Sequence, residues 1–180
     1  MTYYGGRELA RSFRVVRKNT LVIAEEIPEQ QYGFRPTPAS RSVAEILAHI
    51  AVSSHGNYET HAVQRIQTFT GFDFPAFMRQ HREAEQKLVS KAEILAALRT
   101  DGEAWGVFLD GVTEDLLSEP VTFPEPLEPR SKSRLEMFLQ VKEHEMHHRA
   151  QLMVYERLLG LVPHLTRERE ARFAAPSQGR

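Results

Sequence analysis

The chain has 180 residues, 41% hydrophobic and 26% charged, a balance that suits one globular domain able to bury its own core. Lys and Arg number 23 against 24 Asp and Glu, so a net charge of −1 leaves no electrostatic footprint for nucleic acid or an anionic membrane. Cysteine is absent, which excludes disulfides, zinc ribbons, iron–sulfur clusters and thiol nucleophiles, and leaves His, Asp and Glu as metal ligands.

Met1 to Phe13 contains no apolar secretory run and no stretch approaches transmembrane length, so the cytoplasm is the default location. The first predicted helix carries Leu9, Phe13, Val16, Thr20, Ile23 and Ile27 at three- and four-residue steps and stops at Pro28. Pro28, Gly33, Pro36 and Pro38 mark a loop. A second helix begins at Ser40 or Ser42, the latter completed as a capping box by Glu45, and runs to about Thr68 before Gly71. From Phe72 to Leu88 the apolar stripe is weak, and an extra short helix or a long loop is expected. The third strong helix spans Lys91 to Val112, capped by Ser90, with Ile94, Leu98, Trp105, Phe108, Leu109 and Val112 on one side. Four prolines between Glu119 and Arg130 forbid a helix there and leave room for a short edge strand at Val121–Phe123. The last strong helix opens at Ser133 with Glu136 three residues on, and ends at Gly160 with Pro163 beyond. Four amphipathic helices with little strand signal predict an all-α four-helix bundle over residues 1–165, followed by a charged, flexible extension over 166–180.

Three of the eight histidines fall within Glu143–His144–Glu145–Met146–His147–His148. On a helix, positions i and i+4 stand about 40° apart and one turn along, so His144 and His148 project together and have the spacing that chelates one ion. Met137, Val141 and Tyr155 share their side, which places the pair in the core-facing stripe. Imidazoles there need a metal or hydrogen-bonding partners. His49 flanks the apolar stripe of the second helix and is the best placed third ligand. His55 lies on the far side, His61 is offset by about 120°, and His81 and His164 fall in irregular segments. Three neutral imidazoles leave coordination positions open, the pattern of a catalytic site. Zn, Ni, Co, Mn and Fe all accept such ligands.

Two blocks carry a family resemblance. Tyr32–Gly33–Phe34–Arg35–Pro36–Thr37–Pro38, followed by Arg41 to Ile50, resembles the Pro-rich lead into a helix whose signature ends on a histidine. His144–Glu145–Met146–His147–His148–Arg149–Ala150–Gln151–Leu152 resembles an H-x-x-H-H-R-G-Q run, with Ala150 where glycine is frequent. Together and in this order they are similar to the DinB-like (YfiT-like) superfamily of four-helix-bundle metalloproteins. The resemblance implies that His49, His144 and His148 are the ligands of one divalent ion, zinc or nickel first, then Mn, Fe or Co. It also implies a metal-dependent transferase that uses a low-molecular-weight thiol as co-substrate, or a hydrolase, acting on a small molecule.

Other readings remain open on the sequence. The chain could be a non-catalytic metal-binding stress or sensor module. His144–Glu145–Met146–His147–His148 also satisfies H-E-x-x-H, in which Glu145 would be the general base of a zinc peptidase and Glu168 or Glu170 a third ligand. Around the proposed ligands, Gln151 and His147 are candidate supporting residues, and Glu45 either orients His49 or caps its helix. Arg149 is assigned to a surface or interface ion pair, and Trp105 and Tyr155 to the core. A homodimer is expected, without nucleic-acid or membrane partners.

Overall fold

The computed structural model describes residues 4–174. Its helices are α1 (Gly6–Glu26), α2 (Val43–Tyr58), α3 (Phe74–Lys87), α4 (Lys91–Asp110), α5 (Glu114–Ser118), α6 (Arg134–Leu158) and α7 (His164–Ala174). Strands β1 (Pro120–Thr122) and β2 (Ser131–Ser133) pair antiparallel with Val121 opposite Lys132. The four-helix bundle is built from α1, α2, α4 and α6, which pack on one another around the core, while α3 lies against α2. No helix among the described residues is long and apolar enough to cross a membrane.

Local chemistry sets most boundaries. Ser42, Ser90 and Ser133 each accept a hydrogen bond from the backbone of the residue three on, and Glu45, Glu93 and Glu136 accept one from the capping serine's own backbone N–H. Gly160 ends α6 with φ +81°, a left-handed conformation that glycine adopts without a Cβ clash.

Two elements differ from the sequence expectation, and a third resolves the alternatives it left. The second helix stops being α-helical at Tyr58 and passes through a five-residue π turn, Glu59–Val63. The buried Arg134 guanidinium gathers this segment by donating to the carbonyl of Ile66 and to the Glu119 carboxylate, and it lies 3.1 Å from His61 Nδ1. Burial and that cation push the His61 imidazole down to about 4, so it accepts as a neutral ring. The weak stripe from Phe72 to Leu88 is a full helix, α3, because it lays one face on α2 instead of entering the core. Residues 164–174 form α7 where a flexible extension was expected; residues 175–180 lie outside the described ones. Buried His164 reaches Asn19 of α1, and Arg167 pairs with Glu26, so contacts with α1 hold this polar helix.

The core is divided into two apolar halves. One gathers Ile23, Ile27, Val43, Leu47, Ile50, Leu98 and Leu152, and the other Leu9, Phe13, Trp105, Leu109 and Phe138. In sequence, Arg17 of α1, Ser54 of α2 and Glu145 of α6 stand between the segments that feed these halves, and they meet in the interior. Arg17 donates to Glu145 through Nε (2.9 Å) and Nη2 (2.9 Å), to Ser54 Oγ (2.6 Å) and to the Leu98 carbonyl. A Cβ at position 102 would lie 2.6 Å from Arg17 Nη1, so glycine is required there for the guanidinium to enter.

A second buried acid has no such partner. Glu156 is 0% exposed and neither carboxylate oxygen is hydrogen-bonded. Burial, reinforced by the negative charge of Glu26, pushes its pKa up to about 7. A folded-state value above the unfolded one means the protonated acid is favoured by folding, so stability falls as pH rises from about 4.5 through about 7. Glu156→Gln should therefore stabilise the protein at pH 8 by about 1–3 kcal/mol, with the gain shrinking toward pH 5. Urea unfolding at the two pH values checks this, and an equal gain at both would overturn it.

Candidate metal centre

The Ser42 cap fixes where α2 begins, and two turns later His49 leaves the flank of that helix toward α6. On α6, His144 and His148 leave one face a turn apart and meet it. His49 Nε2 lies 3.0 Å from His144 Nε2, and His148 Nε2 lies 3.2 Å from the same atom. All three rings are half-buried. Among the described residues this is the group of His, Asp and Glu side chains whose ligand atoms come close enough to share an ion.

The opposite ring nitrogens determine what the three Nε2 atoms offer. His49 Nδ1 is 2.7 Å from Glu85 Oε1; a carboxylate only accepts, so Nδ1 carries the proton and Nε2 the lone pair. His148 Nδ1 is 2.9 Å from Gln151 Oε1, which places its proton in the same way. His144 Nδ1 lies 3.5 Å from Ser53 Oγ, on the side away from the other rings. Burial and the neighbouring histidines push His144 down to about 4, and burial lowers His148 as well, so both are neutral at pH 7. The Nε2 atoms of His49 and His148 thus converge on His144 Nε2 at about 3 Å, an arrangement that one shared cation would satisfy. The edge of a tetrahedral zinc site with Zn–N of 2.0–2.1 Å is about 3.3 Å, close to the separations found here. The donor set fits a divalent ion.

Some expected residues are elsewhere. Glu45 does not orient His49: its carboxylate accepts from the Ser42 backbone and from Arg35, so capping wins. The carboxylate that holds His49 is Glu85 of α3, which the sequence reading missed because nothing there tied the weakly amphipathic α3 to α2. Gln151 sits on His148 and donates through Nε2 to His147, which is exposed at the edge of the cluster. His55 pairs with Asp101, and His81 lies against Gly56 of α2. Trp105 is buried against Phe108 and Phe138, and buried Tyr155 donates to the Arg41 carbonyl. Arg149, assigned to a surface or interface ion pair, is half-buried; among the described residues it joins no ion pair and its Nε has no hydrogen-bond partner.

The peptidase reading is not supported by this geometry. Glu145 is 1% exposed and is held from the far side of α6 by Arg17. At about 100° around the helix from His144, it points into the core and cannot act as a base at the histidines. The interior face of α6 runs through Phe138, Val141, Glu145 and Leu152, and His144 and His148 flank it instead of lying on its centre.

Known proteins agree with this architecture. YjoA of Bacillus subtilis (strain 168), described as uncharacterized, is 27% identical over 153 residues, which cover 85% of this chain and 90% of that one. Its crystal structure, described as a DinB-like protein, superposes with a TM-score of 0.60 at 22% identity over 85% of this chain and 92% of its own. A Streptococcus pneumoniae protein superposes with a TM-score of 0.66 at 18% identity, covering 87% of this chain and 93% of that one. An uncharacterized Clostridium difficile 630 protein gives 0.65 at 15% identity, covering 87% and 98%. At these identities the superpositions speak for the fold alone. The family described as the DinB superfamily matches residues 12–152, a span that holds all three histidines, and this chain belongs to the DinB superfamily.

Proposed function

We propose that the protein binds one divalent metal ion through Nε2 of His49, His144 and His148, and that this centre carries out thiol-dependent transfer, or hydrolysis, on a small molecule. The observation that supports it is the convergence of three imidazole nitrogens whose outer nitrogens are turned away toward Glu85, Ser53 and Gln151. A bound ion with three protein ligands keeps a position free, where it lowers the pKa of a ligated thiol or water. The chain's own residues do the rest. Glu85 and Gln151 hold the His49 and His148 rings in the tautomer that presents Nε2. Arg17 keeps the Glu145 charge in the core, away from the reacting groups.

Zinc or nickel is the ion that the family resemblance puts first, with Mn, Fe and Co as alternatives, since three imidazoles accept all five. A half-buried cluster with a substantial cavity alongside it favours catalysis over a sealed structural ion. Cobalt substitution tests the thiol arm: adding a low-molecular-weight thiol should produce a sulfur-to-cobalt charge-transfer band that His144→Ala lacks. A cobalt spectrum unmoved by thiols would remove the thiol-dependent reading and leave hydrolysis.

A further inference from the structure

The loop before α2, the first turns of α2 and the C-terminal half of α3 line a solvent-open cavity of about 630 Å³. Its charged lining residues are Arg35, Arg41, Arg82, Glu45 and Glu85. Three of these five are already engaged with one another or with the histidines. Arg35 pairs with Glu45, which also caps α2, and Glu85 holds His49. Arg41 and Arg82 donate no hydrogen bond and join no ion pair among the described residues. The charge left uncommitted in the cavity is therefore positive, and it sits beside an apolar wall of Ala44, Ala48 and Leu88.

The cavity is coupled to the histidine cluster at two points. Glu85 belongs to both, since it lines the cavity and contacts His49 Nδ1. The second point is Arg41, whose backbone carbonyl accepts from the Tyr155 hydroxyl of α6 at 3.0 Å. The guanidinium thus starts from a backbone position fixed against the helix that carries His144 and His148. Guanidinium groups present a planar fork of donors that matches carboxylate and phosphate oxygens.

We propose that this cavity is the anion-binding subsite of the centre, in which Arg41 and Arg82 hold the carboxylate or phosphate group of a small substrate whose reacting end faces the three histidines. The proposal deepens the metal reading: the anion site stands on the two arginines, and its role in the reaction rests on the metal. Calorimetric titration of zinc-loaded and metal-stripped protein with succinate and with inorganic phosphate, at constant ionic strength, tests it. Saturable binding is expected for one or both probes, weakened about tenfold or more by Arg41→Ala and by Arg82→Ala. Arg99→Ala, which removes a guanidinium paired with Glu25, should leave binding unchanged. Succinate alone binding assigns a carboxylate, and phosphate alone assigns a phosphate. Failure of both probes to bind, or wild-type affinity in the double arginine variant, overturns the subsite. Zinc content of the same samples separates the two ideas. Zinc without anion binding removes the subsite alone, whereas anion binding without zinc retains it and removes the metal centre.

Discussion

His144→Ala is expected to abolish metal binding, whereas tag-free wild type carries about one ion per chain. His144 Nε2 is the atom that both His49 and His148 approach, so removing it deletes the donor at the centre of the group. Elemental mass spectrometry reads the content directly. Thermal unfolding gives an independent reading, because an ion that binds only the folded state stabilises it by about 4 kcal/mol at a thousand times its Kd. A chelator should therefore lower the wild-type Tm and leave that of His144→Ala where it is. Two controls give the result its resolution. His147→Ala, on the exposed rim, should keep its ion. Glu85→Gln should keep the stoichiometry but lose roughly 10–100-fold in affinity, because it releases the His49 ring without removing a ligand. Wild type that stays metal-free after incubation with zinc, nickel, cobalt and manganese would overturn the centre, as would full metal content in His144→Ala.

Truncating the buried cation, Arg17→Ala, should destabilise the fold by about 3–5 kcal/mol, since Glu145 is then left charged and unpaired in the core. Glu145 is 1% exposed and depends on Arg17 for three of its contacts, and Ser54 and the Leu98 carbonyl lose a donor at the same time. At roughly 2–4 °C per kcal/mol for a chain of this size, the loss is visible in a thermal melt as well as in urea. The double variant Arg17→Met with Glu145→Leu should recover most of it, because replacing both charges with apolar groups removes the unpaired ion. The same variant bears on function: with Glu145 gone, metal content should match wild type, whereas a peptidase-type base at that position would make the change catalytically fatal. A cost below about 1 kcal/mol for Arg17→Ala would mean that water reaches Glu145 and that the pair is not the sealed interior contact described here.

The DinB-superfamily bundle and the histidine group were legible in the chain because both are written in short-range spacing. Helix periodicity, the Ser-x-x-Glu boxes at Ser42 and Ser133 and the cap at Ser90 depend on neighbours three or four residues away, and each formed as read. The i,i+4 spacing of His144 and His148 is likewise a property of one helix, and the structure brings His49 to it. The same local reasoning left Glu45 between two roles, and the structure gives it the cap, not the histidine one turn on.

The sequence by itself therefore determined the four bundle helices, their N-terminal caps and the candidate ligands, since these are set by contacts within a turn or two of one chain segment. Only the tertiary structure decided which side chains stand behind those ligands. Glu85 lies 36 positions from His49, and Arg17 lies 128 from Glu145. Both charged groups of the second pair occupy helix-stripe positions, where their charge alone would have sent them to the surface. They are tolerated inside because each neutralises the other and Gly102 leaves the room, a condition that exists only once α1, α4 and α6 are packed together.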